Sequence, residues 1–318
     1  MRTNSSDGRV TRVARPTTED LAELAARARV SIVSRADIRV WPQSGVERVH
    51  FADGRTAVLK YTIPDFAEDD ALGHAAYHGL PVPALLAKGM LPGGEVAVLM
   101  EDLGAQIQEP TLREAARLAV MIHRVPGPPE RPVLDREALS VLPESALECL
   151  RRLRQMGRWR GEEARGLRGD LERIAQVARH RARGAEIPPF GLAHSEFHPT
   201  SIHIGRRGSR VLDWARCYTG SGLLDLASWQ GTQQPFELAR VEDLLTAYLA
   251  AGGPPSAAAD RGGLPAHVWA SAWHKVWITE WFVAAQERFL PLTDPGQDVA
   301  TIQSIRVHLA EAGSWLMN

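Results

Sequence analysis

Between Leu192 and Gly205 the chain reads LAHSEFHPTSIHIG, and five residues later Val211 to Ala215 read VLDWA. Three imidazoles (His194, His198, His203), a carboxylate (Glu196) and a hydroxyl (Ser201) fall within ten residues, and Asp213 follows the apolar pair Val211-Leu212. Positioned carboxylates and imidazoles move protons, and an aspartate at a strand end projects its carboxylate into a cleft. In an extended segment Ser201 and His203 would share a face, which puts His203 near any metal held there. Imidazole suits zinc and other transition metals better than magnesium. Nothing elsewhere pairs HxxxH with the carboxylate of a zinc enzyme, so a packed or hydrogen-bonded His203 is the expectation. Lysine is also informative by its rarity: of 37 basic residues only Lys60, Lys88 and Lys275 are lysines.

These side chains need elements to hold them. A chain of 318 residues is long enough for a large core and near the size at which one core gives way to two lobes. A formal net charge of −1 argues against a polyanion binder, so no nucleic-acid partner is expected. Cys149 and Cys217 make neither a disulfide framework nor a metal cluster. No apolar run approaches the roughly 20 residues that span a bilayer, so no membrane partner is expected. The first residues lack the apolar stretch of a signal peptide, which points to a flexible tail over 1–16 and a cytoplasmic protein.

Thr17 to Ala28 has helical apolar spacing behind a threonine cap. Strand-like pieces follow at Ile38 to Trp41, Val46 to Phe51 and Thr56 to Tyr61, the last two joined by Ala52-Asp53-Gly54-Arg55, a hairpin signal. A helix over Phe66 to His78 precedes GLPVPALL, and EVAVLMEDLG forms a further strand ending near Gly104. Beyond it the pattern is helical at Leu112 to His123, Glu144 to Met156, Gly161 to Arg183, Phe236 to Ala251 and Ala266 to Phe289, with Ala250 to Pro265 a loop. The histidine-rich segment and VLDW are the only clear strand pair there. The fold class is therefore α+β, with a small β-rich N-lobe over 17–103 and a larger, mainly helical C-lobe over 104–318.

The order of hairpin, strand-borne Lys60, helix, GLPVP, VLMEDLG, Ile122-His123, HSEFHPTSIHI and VLDWA resembles the aminoglycoside phosphotransferase family of kinase-like enzymes, from about Val40 to Trp229. That family commonly writes its catalytic loop H-G-D-x-H-P-x-N and its metal strand I-D-W/F. The resemblance implies a protein-kinase-like two-lobe fold. It further implies an ATP- and Mg²⁺-dependent transfer of the γ-phosphoryl group to a hydroxyl of a small molecule such as an antibiotic or other natural product. On it, Lys60 holds the nucleotide phosphates and takes a carboxylate partner from the next helix. Glu68 fits best, because Leu72 and Ala75 then recur at helical spacing toward the interior, with Asp69 and Asp70 as competitors. Ser44 and Gly45 stand where a nucleotide-covering loop would lie, although one glycine is few for a phosphate cradle. Met100, Glu101 and Leu103 lie where backbone groups would meet the adenine. Asp213 and Ser201 hold the metal, Glu196 orients or deprotonates the acceptor, and His194 orients Glu196 or holds the loop backbone. His198-Pro199 and Asp225 support the loop.

Three residues depart from the family pattern. Glu196 replaces aspartate, Ser201 replaces asparagine and Ser195 replaces glycine. Glutamate is longer by a methylene, on the order of an ångström, and misplacement of that size costs around a hundredfold in rate. A serine hydroxyl still ligates Mg²⁺, as in phosphate-binding loops. Two features fall outside the motifs. The arginines of Leu150 to Arg160 read as a solvated face balanced by Glu162, Glu163 and Asp170, or else as a grip on an anionic or peptide substrate. Trp269, Trp273, Trp277 and Trp281 form a helical stripe, read as packing core or as a substrate-cleft wall. Two further functional readings follow: a kinase for Ser/Thr of a precursor peptide in natural-product maturation, and a catalytically silent nucleotide-binding scaffold.

Overall fold

Alternation along a few strands decides which side chains enter the cleft. The structure, a computed structural model, describes residues 13–41, 43–66, 68–231, 235–288 and 295–318. Most of the expected tail, residues 1–12, lies outside the described residues. Helix α1 (Ala22–Ala28) is followed by strands β1 (Ile32–Trp41), β2 (Ser44–Phe51) and β3 (Thr56–Thr62), helix α2 (Glu68–Tyr77), and strands β4 (Leu85–Met90) and β5 (Val96–Glu101). The strands form one antiparallel sheet in the order β1-β2-β3-β5-β4. Thr17 does receive the Asp20 N–H at 3.2 Å, but the helix proper starts a turn later than expected, at Ala22. The β2–β3 turn uses Gly54 at φ 82°, a conformation that costs glycine nothing.

Along β3, Ala57, Leu59 and Tyr61 are buried with Val49, Phe51, Leu99 and Leu24 in an N-lobe core. Side chains alternate across a strand, so Lys60 faces the other way, toward the rest of the molecule. The same core explains Gly45. It sits within β2, opposite Tyr61 in the ladder, and a β-carbon there would lie 2.1 Å from Cζ of the Tyr61 ring. The Tyr61 hydroxyl donates to the buried Glu47 carboxylate at 3.2 Å, which pins the ring in place. Gly45→Ala is therefore expected to destabilise the protein by about 2 kcal/mol or more through overpacking, read as a fall in the urea unfolding midpoint.

The second part contains α3 (Leu112–His123), β6 (Val133–Leu134), α4 (Arg136–Gln155), α5 (Glu162–Arg181), β7 (Phe190–Ala193), β8 (Ile202–Gly205), β9 (Gly208–Val211), β10 (Tyr218–Ser221), α6 (Leu223–Ser228), α7 (Leu238–Ala250), α8 (Ala266–Arg288) and α9 (Pro295–Leu316). Its strands form a hairpin, β8-β9, and a second sheet, β6-β10-β7. This second sheet was not expected, because strands of two to four residues are too short to show a period. Helix α4 starts well before Glu144: Asp135 caps it by accepting the Ala138 N–H at 2.9 Å, and Pro143 lies inside the helix rather than marking its start. α9 was not anticipated either. Ala71, Leu72 and Ala75 of α2, with Val98 and Met100 of β5, join the core of the helical part, so apolar packing runs across the two lobes. Among the described residues no helix is long and apolar enough to cross a membrane.

The arginine-rich segment is absorbed by packing. Arg152 bonds Glu287 of α8 and Glu148 of its own helix, and the buried Arg158 reaches the Gln286 carbonyl at 2.6 Å and Asp298 at 2.5 Å. The expected balance by Glu162 and Asp170 is not what forms, since those acids pair with Arg165 and Arg173 on α5. The partners come instead from α4, α8 and α9, which the arginines hold together.

Candidate active site

Lys60 is the one described lysine that bridges the two lobes. Its Nζ lies 2.5 Å from Oε2 of Glu68 on α2 and 2.7 Å from Oδ1 of Asp213, just beyond β9. Helix phase selects Glu68, because Asp69 and Asp70 one and two residues on turn outward and pair with Lys88 at 3.3 and 2.7 Å. The third lysine, Lys275, is buried against Glu311 at 3.0 Å. Burial pulls the Lys60 ammonium down, but the Glu68 and Asp213 carboxylates more than offset this, and its pKa is raised. Burial raises Asp213 as well, and the Lys60 charge and hydrogen bond reverse that to hold it below its ordinary value. Glu68 is raised, burial outweighing Lys60. Its Oε1 also accepts the Trp214 N–H at 3.2 Å, which fixes α2 to the segment that carries Asp213.

The loop after β7 is held from below. Asp225 of α6, fully buried, accepts the backbone N–H of His194 on Oδ2 and of Ser195 on Oδ1, both at 2.7 Å. His123 adds its Nε2 at 3.2 Å. These bonds keep Ser195 at φ 78°, and Asp213 takes φ 65°, so the two segments flanking the cleft both hold non-glycine residues in the left-handed region. The His194 ring does not reach Glu196. It donates from Nε2 to the Leu212 carbonyl at 2.8 Å, with its edge toward Trp214, and so ties the loop backbone to the Asp213 segment. Ser201 donates to the Glu196 carbonyl at 2.7 Å, and its own carbonyl receives the Leu212 N–H at 2.8 Å. Ser201 belongs to a 3-10 turn over Pro199–Ser201, so the argument that placed it on one face with His203 fails. His203 is buried beside Gly205, with no hydrogen-bond partner for Nε2.

Sequence reasoning missed Arg216. Its Nη1 lies 3.0 Å from Oε1 of Glu196, and its guanidinium sits over the rings of Trp277 at 4.2 Å and Trp281 at 3.8 Å. Burial pulls the Arg216 pKa down, against the pull of Glu196. The signal was an arginine three residues after Asp213, in a stretch with no periodicity to interpret. The tryptophan stripe accordingly divides. Trp269 and Trp273 are core, both donating indole N–H to the Arg181 carbonyl, whereas Trp277 and Trp281 line a cavity of about 970 Å³ in front of Glu196.

The remaining positions are placed as follows. Ser44 and Gly45 lie within β2 rather than in a separate glycine loop, at the end next to the β1–β2 turn. Met100 and Glu101 end β5 and Leu103 follows in the connection. The Glu101 carboxylate accepts the Ala84 N–H at 3.2 Å and pairs with Arg207 at 2.7 Å, and Ile107 donates to the Ile204 carbonyl, so the connection is tied to β8-β9. As magnesium donors the residue types fit: Asp213 is a partly exposed carboxylate, and the buried Ser201 hydroxyl, which donates its proton to the Glu196 carbonyl, keeps oxygen lone pairs for a cation. Mg²⁺ takes one or two protein oxygens and keeps water or phosphate oxygens in its other positions. Among the described residues no three His, Cys, Asp or Glu side chains converge as a metal cage.

Comparison with known proteins agrees with this fold. No curated protein matches the chain in sequence. Solved structures share the fold at low identity. The choline kinase LicA from Streptococcus pneumoniae is 13% identical with a TM-score of 0.59, over 91% of this chain and 97% of that one. A macrolide 2'-phosphotransferase, MphH from Brachybacterium faecium, is 18% identical with a TM-score of 0.56 over the same shares. An aminoglycoside phosphotransferase from Alicyclobacillus acidocaldarius is 13% identical with a TM-score of 0.52, over 93% of each chain. The model of the phosphotransferase enzyme family matches residues 49–262, a span that runs from β2 past the loop, Asp213 and Asp225. With the two-lobed fold around it, that match makes this chain a kinase-type phosphotransferase and a member of the phosphotransferase enzyme family.

Proposed function

We propose that the protein transfers the γ-phosphoryl group of ATP, with Mg²⁺, to a hydroxyl of a small molecule. The observation that carries this is the Lys60 ammonium held between Glu68 and Asp213, next to a loop that presents Glu196 to a large cavity. A fold neighbour, LicA, has been solved with AMP, which supports an adenine nucleotide. Lys60 neutralises phosphate charge, and Asp213 with Ser201 would hold the metal, which screens the phosphate oxygens. Glu196 accepts the proton of the acceptor hydroxyl as its oxygen bonds the γ-phosphorus and the bond to the β-phosphate oxygen breaks, leaving ADP. Arg216 restricts the longer glutamate side chain to one place, so the extra methylene does not leave the carboxylate loose.

Thermal unfolding with ATP and Mg²⁺ tests this reading. A ligand at a hundred times its Kd stabilises by about 2.7 kcal/mol, a rise of several degrees. The wild type is expected to show that rise and Asp213→Ala to lose its magnesium-dependent part. No rise with either ligand refutes the proposal. One observation favours the silent reading: an oxygen of Glu196 is already occupied by Arg216. ATP stabilisation without ADP release on any hydroxyl acceptor would decide for it. Of the arginines that a peptide would have used, Arg152 and Arg158 are taken by α8 and α9, and Arg151 and Arg160 stay exposed.

A further inference from the structure

The lining of the cavity before Glu196 bears on the charge and shape of the acceptor. It is lined on the α8 side by Trp277, Ile278, Trp281 and Phe282 and across from them by Trp229. Its size, about 970 Å³, is at the upper end for small-molecule sites, far more than a small quaternary amine fills. Three carboxylates reach its wall. Glu196 is paired with Arg216, and Glu237 with Arg240 at 3.0 Å, which leaves Asp243 as the lining acid with no ion pair among the described residues. A polycation brought into this space would meet one unpaired carboxylate, Asp243, and two already matched by arginines, too few to replace its lost hydration. Nor do the indoles offer an aromatic cage, since the cation over Trp277 and Trp281 is already the guanidinium of Arg216, which repels a second one.

Resting on the phosphotransferase reading above, we infer that the acceptor is an uncharged, hydroxylated ring compound with an extended apolar face, such as an aryl glycoside or a polycyclic alcohol. Its flat face packs on Trp281 and Phe282, the aromatic pair at the cavity edge, while its hydroxyl lies at Glu196. Ring stacking on an indole is favourable and makes no demand for charge. Arg216 couples the two halves of the site, because the same guanidinium touches the carboxylate and the aromatic wall.

The test measures binding by calorimetry, with ATP-induced thermal stabilisation recorded on the same samples. The probes are 4-methylumbelliferyl β-D-glucoside, naringin and estriol as neutral ring alcohols, kanamycin as a polycation and choline as a small cation. At least one neutral probe is expected to bind at least about tenfold more tightly than either cation and to be phosphorylated. Trp281→Ala is expected to weaken that probe about tenfold with the ATP shift intact, and Trp281→Leu serves if the alanine variant is poorly folded. Tighter binding of kanamycin or choline overturns the inference, as does absence of neutral binding or indifference to both Trp281 variants while ATP still stabilises. Loss of the ATP shift with neutral binding at Trp281 intact would leave the binding assignment standing and reject the phosphotransferase reading instead.

Discussion

Replacing Lys60 with methionine is expected to lower kcat/KM about a thousandfold in an ADP-release assay, whereas Asp69→Asn and Asp70→Asn should leave it nearly unchanged. The contrast follows from position. Lys60 is a desolvated ammonium aimed at the cleft, and a preorganised charge in such a place contributes several kcal/mol to the transition state. Asp69 and Asp70 neutralise Lys88 on the outer side of α2, where ion pairs contribute little. Since the Lys60 pKa is raised above its unfolded value of about 10.5, its ion pairs are fully present below that pH and are lost only as pH rises through the higher folded value. Lys60 therefore stays protonated throughout a rate profile measured below pH 10, and any alkaline limb in that range belongs to another group and should stay in place in Lys60→Arg. A limb that moves with Lys60→Arg would contradict this assignment.

The second large effect belongs to Asp225. Alanine there leaves two buried backbone N–H groups and His123 without their acceptor, and Ser195 loses what keeps it left-handed. Each orphaned donor costs about 1–3 kcal/mol, so Asp225→Ala is expected to destabilise by roughly 3–5 kcal/mol. Differential scanning calorimetry would show this as a fall of several degrees or more in Tm. Asp225→Asn retains one acceptor oxygen and should fall in between. A Tm within one degree of wild type for the alanine variant would mean that the loop holds its own shape.

The positions of the central side chains were legible where a simple period applied. Two-residue alternation in β3 puts Lys60 opposite Leu59 and Tyr61, and the apolar pair before Asp213 marks its strand. Helical spacing with Leu72 and Ala75 favoured Glu68 among three neighbouring acids, and its contacts with Lys60 and Trp214 are the tertiary fact that separates it from Asp69 and Asp70. His203 was placed with Ser201 by assuming extended backbone, and a single 3-10 turn broke that assumption. The tryptophan stripe shows a different limit. A four-residue step drifts about 40° around the helix, so over three steps the stripe leaves the core and meets the cleft. The core expectation holds for Trp269 and Trp273, while Trp277 and Trp281 line the cavity in front of Glu196. Arg216 was invisible because no local period links it to Glu196, twenty residues earlier.

The salt bridge between Lys60 and Asp213 also bears on how a nucleotide would arrive. Each group is already neutralised by the other, so entry is an exchange of partners rather than the filling of a charged void. On the proposed function, Lys60 would pass from Asp213 to phosphate oxygens and Asp213 would be free to hold a metal that arrives with them, so neither charge would stand bare. Glu68, at 2.5 Å, would stay on Lys60 and keep it aimed. Nucleotide without metal would break one bond and leave Asp213 uncompensated beside added negative charge, so the protein should favour the metal complex over the free nucleotide from the first contact.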